Sequence, residues 1–425
     1  MYNVLVLAYY YPPMGLSGVQ RTLKFTKYMS EFKWYPTVVS VGDTGYFAHD
    51  LSLLKEVNNS EINVIRTESS EINSLLSKYG TITMPPEKIR KLFSRLSKIF
   101  FIPDSKKPWS SKAYRLCSEL LNKRSYDIIY VTIPPFSAFT VASKLKKDFS
   151  IPLIVDYRDM WYDNHFSFYP TFYHRVRHKK LEDNALRNVD HIIVVNRRMK
   201  EQLLARYKFL TFSDITIIPH GYDPKDFEIE IEKEKENKLK ILYSGIFYEN
   251  ITPYYMLRAF KELSIERPDI TEKIELQFVG HFRKENKKIV NKFNLHQNVI
   301  DFGYLEHVDV IKKIKKADIL WVMLGKGKNM DTVSAGKIFE YFGSRKPIIA
   351  CVPYGATENA AKEYGASFIV DPYNINDIKR NLIKIYNLSL LNKLPTPNEE
   401  FVLKHNRQLL TKELIFKFQN YLKEY

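Results

Sequence analysis

Short apolar runs alternate with longer stretches of helical period along almost the whole chain. In the first half the runs are Val4 to Ala8, Thr37 to Val41, Ile62 to Ile65, Ile128 to Thr132, Leu153 to Asp156, His191 to Val195 and Thr216 to Ile218. They are rich in valine and isoleucine with little polar alternation, the pattern of strands buried on both faces of a parallel sheet. Asp223 to Lys238 (DPKDFEIEIEKEKENK) interrupts the series; it is charged, shows no apolar face and reads as an interdomain linker. The alternation restarts with Lys240 to Tyr243, Ile274 to Val279, Val299 to Phe302, Ile319 to Met323, Pro347 to Cys351 and Ser367 to Val370. Glu400 to Tyr425 is helical in pattern and strongly amphipathic, so it needs a surface to pack on. The expected architecture is α/β, with two Rossmann-like, doubly wound domains at residues 1–220 and 239–404. A linker at 221–238 joins them, and a terminal helix at 405–425 packs back on the first.

Composition narrows the class. The 425 residues suffice for two or three domains at roughly 100 to 200 residues each. With 45% hydrophobic and 27% charged residues, disorder and collagen-like structure are excluded. Cys117 and Cys351 are the only cysteines, which excludes a disulfide framework and a Cys-based zinc site and makes the cytoplasm the expected compartment. The first residues, MYNVLVLAYYYPPMG, lack a basic residue before Arg21 and read as a buried strand, not an export signal. The uncharged stretch Ile128 to Ser143 is broken by Pro134 and Pro135 and falls short of the ~18 to 20 residues that cross a bilayer. The net charge of +17 attracts polyanions, whether nucleic acid, anionic lipid or nucleotide phosphate.

Three stretches carry candidate chemistry. In the first βα turn, Gly15 and Gly18 flank Ser17 ahead of a helix, an arrangement that lets backbone N–H groups approach an anion. It lacks the G-x-G-x-x-G dinucleotide fingerprint, and an ordinary loop capped by Ser17 has the same sequence. After the fifth strand, YRDMWYDN places Asp156, Arg158, Asp159 and Trp161 at the carboxyl edge of the sheet, where open α/β folds bind ligands. A solvated loop in which Arg158 pairs with Asp156 or Asp159 is the plainer alternative.

The third stretch is DTVSAGKIFEYFG, Asp331 to Gly343. Thr332 or Ser334 can cap a helix beginning near Ala335, with Gly336 and Lys337 in its first turn, where the helix dipole disfavours a cation unless an anion is bound. Glu340 lies on the same face and can accept two hydrogen bonds from a ribose diol, although a surface Lys–Glu pair has the same spacing. Gly245 in YSGIF and Gly280 in FVGHFR follow strands directly and permit close backbone approach. Finally, residues 87–101 (EKIRKLFSRLSKIFF) put apolar residues on one face and basic residues around the other, the pattern of a helix lying in a lipid interface. A core-packed helix with a basic outer face is the alternative.

YYPPMGLSGVQR, DYRDMW, RNVDHIIVVNRRM, IIPHGYD, YSGIFYEN, FVGHF, DFGYLEHVDV and KIFEYFGSRKPII follow one another as in family 4 glycosyltransferases of the GT-B fold. The resemblance covers essentially the whole chain. It implies two Rossmann-like domains facing each other across a cleft, with a nucleotide-sugar donor mostly on the C-terminal one and the acceptor on the N-terminal one. It also implies retention of anomeric configuration without a divalent metal or other cofactor, and the sequence has no D-x-D.

Glu340 matches the ribose-binding second glutamate of the family's E-x7-E element, whereas the first falls at Thr332, which leaves Asp331 as the substitute. The Arg and Lys that relatives place after the first strand of the second domain are absent from GIFYENITP, so Arg283 and Lys337 stand in for them. The histidine after the fourth strand is also missing, because TIPPF stands there. The expected donor-binding set is Gly15, Gly18, Gly245, Phe247, Gly280, Arg283, Thr332, Ser334, Gly336, Lys337 and Glu340. Asp156, Arg158 and Asp159 are the expected catalytic residues, with the two aspartates orienting the acceptor hydroxyl. The resemblance suggests a glycan or lipid-linked acceptor in surface polysaccharide assembly, and the pattern of 87–101 suggests peripheral contact with an anionic inner membrane face. A nucleotide-sugar epimerase of the same fold is the alternative. Nucleic acid is not an expected partner, since no reading module or basic face with interleaved aromatics is present.

Overall fold

The computed structural model describes residues 1–42, 44–46, 48–68, 87–232 and 238–422. The chain divides into two compact units, Met1–Pro219 with Arg407–Tyr425, and His220–Asn406. Among the described residues the first unit is built on a parallel sheet of Tyr2–Leu7 (β1), Trp34–Val41 (β2), Asn63–Thr67 (β3), Ile128–Ile133 (β4), Leu153–Tyr157 (β5), His191–Val194 (β6) and Ile215–Ile217 (β7). Their order is β3-β2-β1-β4-β5-β6-β7. The second unit repeats the plan with Leu239–Ser244 (β8), Ile274–Val279 (β9), Val299–Asp301 (β10), Ile319–Met323 (β11), Ile348–Cys351 (β12) and Ser367–Val370 (β13), in the order β10-β9-β8-β11-β12-β13.

Each apolar run of the sequence forms one of these strands, with ends shifted by no more than about three residues. The inner strands are buried on both faces, as the lack of alternation requires, with β4 and β8 buried throughout, whereas the edge strands β3 and β10 are partly exposed. The strand order reverses between β1 and β4 and again between β8 and β11. At such a switch point the flanking connections leave in opposite directions and open a crevice at the carboxyl ends of the strands.

Two expectations about connecting segments need correction. Glu400 to Tyr425 is not one helix: Glu399–Lys404 and Arg407–Gln419 are separated at His405, whose Nδ1 contacts the Phe401 carbonyl at 2.7 Å and whose own carbonyl accepts from the Tyr222 N–H at 2.9 Å. Phe401 and Val402 belong to the core of the second unit. Leu410, Leu414, Ile415 and Phe418 belong to that of the first, where Phe418 meets the Trp34 ring edge at 5.2 Å.

The stretch 221–238 is likewise no free linker, although its residues 233–237 lie outside the described residues. Tyr222, Phe227 and Ile229 pack in the second unit's core, and Pro224–Phe227 forms a short 3-10 turn capped by the Asp223 side chain. A Cβ added at Gly343 would stand 2.5 Å from the Tyr222 ring, so a glycine is what lets these aromatics seat. The few anchors are spaced among charges too widely to register as an apolar face. No helix among the described residues is long and apolar enough to cross a membrane.

Candidate functional site

In the second unit the helix Gly336–Ser344 follows β11 and is fastened to the carboxyl end of β8. The Ser244 N–H donates to the Tyr341 hydroxyl at 2.9 Å, and the two hydroxyls lie 3.1 Å apart. Neither Thr332 nor Ser334 caps this helix, contrary to expectation. The N-cap is Ala335, without a side-chain hydrogen bond, and the Thr332 hydroxyl turns back to the Asn329 carbonyl. The loop is pinned instead by Thr357, which accepts from the Ala335 N–H at 3.1 Å and donates to the Val333 carbonyl at 2.8 Å. The amides of a first turn without a side-chain cap need partners from outside the helix.

Lys337 lies in that first turn. Its Nζ is 3.8 Å from the centroid of the Tyr243 ring, and a Cβ added at Gly245, where φ is +127°, would stand 2.5 Å from the same nitrogen. The ammonium therefore lies across the carboxyl end of β8, at the switch point, and among the described residues no carboxylate or carbonyl hydrogen-bonds it. Burial pushes its pKa down to about 7, with the charge of Glu340 opposing the shift. A cation held out of water without an acceptor is costly to keep, and a bound anion would lower that cost.

One turn on, the Glu340 Oε1 is 3.0 Å from Nε2 of His307, the first residue of the helix His307–Lys316. Asp226 Oδ2 approaches the same nitrogen at 4.0 Å. The imidazole orients the carboxylate, and sequence reasoning missed it because 33 residues separate the pair. Asp331, half-buried and with no side-chain hydrogen bond among the described residues, lines a cavity of about 520 Å³ with Lys326, Tyr354 and Glu358.

Other expected donor ligands hold the scaffold together. The Gly245 N–H donates to the Val279 carbonyl and the Gly280 N–H to the Gly303 carbonyl, each at 2.7 Å, so neither amide is offered to a ligand. A Cβ at Gly280 would meet the Gly245 oxygen at 2.3 Å; that glycine serves close approach of two loops. The Phe247 ring is buried and stacked on Tyr243 at 4.1 Å, and Arg283 donates to the Phe247 carbonyl.

In the first unit two of the three expected catalytic residues are committed elsewhere. Asp156 is fully buried and holds Arg21 through Nε–Oδ2 and Nη2–Oδ1 bonds of 2.8 Å. Arg21 in turn donates to the carbonyls of Ile218 and Pro219. Arg158 donates to the carbonyls of Gly18 and Pro134. These two networks knit the helix Ser17–Met29 to the carboxyl ends of β4, β5 and β7, so Asp156 and Arg158 are structural. Gly15 gives its N–H to the Ala48 carbonyl at 2.9 Å, so that amide is not offered to a ligand, and the Gly18 carbonyl accepts from Arg158. Asp159 is half-buried and has no side-chain hydrogen bond among the described residues, so it alone of the three remains available.

Two family models match the chain: Glycosyltransferase Family 4 over residues 81–226 and Glycosyl transferases group 1 over residues 224–398. No curated protein matches it. Among solved structures it is similar to a glycosyltransferase from Rickettsia africae, with a TM-score of 0.66 at 16% identity over 100% of this chain and 99% of that one. Sucrose-phosphate synthase from Thermosynechococcus elongatus gives 0.67 at 14% identity over 99% of each chain. HepE from Anabaena, solved in complex with UDP, gives 0.62 at 11% identity over 99% of this chain and 100% of that one. At such identities the likeness shows the fold, and that fold is GT-B. With family matches running from residue 81 to residue 398, the chain belongs to the family 4 glycosyltransferases and is an enzyme of that class.

Proposed function

We propose that the enzyme moves a sugar from a nucleoside-diphosphate sugar to a glycan or lipid-linked acceptor, with retention of configuration and without a metal, in surface polysaccharide assembly. The observation that carries this reading is the ammonium of Lys337, without a hydrogen-bond acceptor at the start of a helix that no side chain caps, with Glu340 one turn further on. In this reading Lys337 and the first-turn amides receive the diphosphate, and Glu340, held by His307, accepts from the ribose diol. Asp331 takes the sugar hydroxyls in place of the glutamate absent at Thr332.

As the bond from the anomeric carbon to the phosphate oxygen breaks, the sugar acquires oxocarbenium character and negative charge grows on the leaving diphosphate. A fixed ammonium in a desolvated setting stabilises that charge more in the transition state than in the ground state. It supplies the neutralisation that a divalent ion would otherwise give. The acceptor oxygen bonds to the same face of the anomeric carbon, and its proton passes to the departing phosphate oxygen, so no side-chain base is required. The acceptor belongs to the first unit, where Asp159 orients its hydroxyl. The reading places the enzyme in the cytoplasm, peripheral to an anionic membrane face through residues 87–101.

A panel of nucleotide-sugars screened for thermal stabilisation identifies the donor, because a ligand bound by the native state alone raises the melting temperature. With that donor the expected result is free nucleoside diphosphate only when acceptor is present, an unchanged rate in EDTA, and a product with the donor's anomeric configuration by NMR. Inverted product, or loss of activity in EDTA that added metal restores, would contradict the corresponding part of the reading.

A further inference from the structure

The helix Glu87–Phe100 does not bury its apolar face. Leu92, Phe93 and Phe100 are 57%, 64% and 76% exposed, which sets aside a core-packed role for that face. A second segment extends the same surface. Phe166 and Phe168 are 41% and 40% exposed, and Phe172 and Tyr173, at the start of the helix Phe172–Leu186, are 80% and 66% exposed. The two segments are joined through three contacts. Lys98 Nζ donates to the Phe166 carbonyl at 2.7 Å, the Arg95 guanidinium stands 5.5 Å from the Phe168 ring centroid, and His174 Nε2 lies 3.1 Å from the Ile99 carbonyl.

The charge around this patch is one-sided. Residues 87–100 hold five Lys or Arg and a single Glu, which pairs with Arg90 at 2.8 Å; residues 166–180 hold four Lys or Arg and no acid. At helical spacing Arg177 and Lys180 follow Tyr173, so aromatic and basic groups share one side of that helix. A second copy of the chain would bring the same basic rim and the same +17 charge, and would be repelled. Exposed aromatics bordered by cations match the headgroup region of an anionic bilayer, where rings sit at the acyl boundary and basic groups meet phosphates.

We propose that helix 87–100 and the segment 166–180 form one docking surface for an anionic lipid bilayer. This rests on the membrane reading given for residues 87–101 and adds a second arm that the sequence does not flag.

The test is co-sedimentation of the full chain with vesicles of phosphatidylcholine, alone or mixed with phosphatidylglycerol. Four proteins are compared: wild type, Leu92→Ser with Phe93→Ser, Phe172→Ser with Tyr173→Ser, and Arg177→Glu with Lys180→Glu. Wild type is expected to pellet with the anionic vesicles only and to be released by salt. Each variant should lose at least tenfold in partitioning with unchanged melting temperature, because the substituted side chains are exposed. Second-arm variants that partition like wild type, beside a helix variant that does not, would overturn the composite surface and leave the helix alone. Wild type that fails to bind, or binds neutral vesicles equally well, would overturn both membrane readings. Nucleoside-diphosphate affinity measured on the same proteins should stay at the wild-type level, so neither failure touches the donor assignment.

Discussion

At the residue scale the proposed reading rests mainly on one side chain, Lys337. Its folded pKa of about 7 lies below the ordinary lysine value of ~10.4, so between those pH values the unfolded chain holds a proton that the folded one does not. Stability of the ligand-free enzyme therefore rises with pH across that window through this group, and is lowest where the ammonium is charged in the fold. A diphosphate bound as proposed would select the charged form. Its affinity is expected to weaken above about pH 7, by up to tenfold per pH unit, in titration calorimetry. Lys337→Met should abolish that slope, weaken nucleoside-diphosphate binding at pH 7 by tenfold or more, and raise the ligand-free melting temperature at the same pH. Glu340→Ala should raise the donor Michaelis constant sharply and His307→Gln by less. The double variant should fall short of the product of the two effects, since the imidazole acts through the carboxylate. Lys337 and Glu340 could be found in the sequence because helical spacing puts them on one face. His307 could not, and neither could the partner of Asp156: Arg21 lies 135 residues from it, and nothing local distinguishes it from Arg158.

At the scale of elements, the strands were readable because a strand buried on both faces must be apolar at nearly every position. Helix starts were not, since Thr332 and Ser334 are both competent caps by type and only the loop's path shows that neither is used. The same path decides what the glycines do. At Gly245 φ is +127° and an added Cβ would meet Lys337 Nζ, so Gly245→Ala is strained in itself and displaces the ammonium. Loss of about 1 to 3 kcal/mol in denaturant unfolding is expected, together with weakened donor binding. The Arg21–Asp156 pair joins the first helix to β5 with no exposed surface on either side chain. Removing one partner leaves a buried charge alone, and Asp156→Leu should cost about 3 to 5 kcal/mol by urea unfolding.

Across the whole molecule, two α/β units could be read from the apolar runs, the charged break between them and chain length, whereas their strand order comes from the structure alone. The return of the chain end to the first unit, expected for residues 405–425, is fixed by where Leu410, Leu414 and Phe418 find their partners. Phe418→Ala should destabilise the first unit by about 3 to 5 kcal/mol, seen as earlier proteolysis of its segments on mild heating. The assignment of the donor to the start of helix Gly336–Ser344 is tested most directly by ³¹P NMR, using whichever of UDP, GDP, ADP and dTDP stabilises the protein most. Wild type is expected to shift and broaden the β-phosphorus resonance, and Lys337→Met to lose that response while keeping its fold. A β-phosphorus response identical in the two proteins would contradict the account.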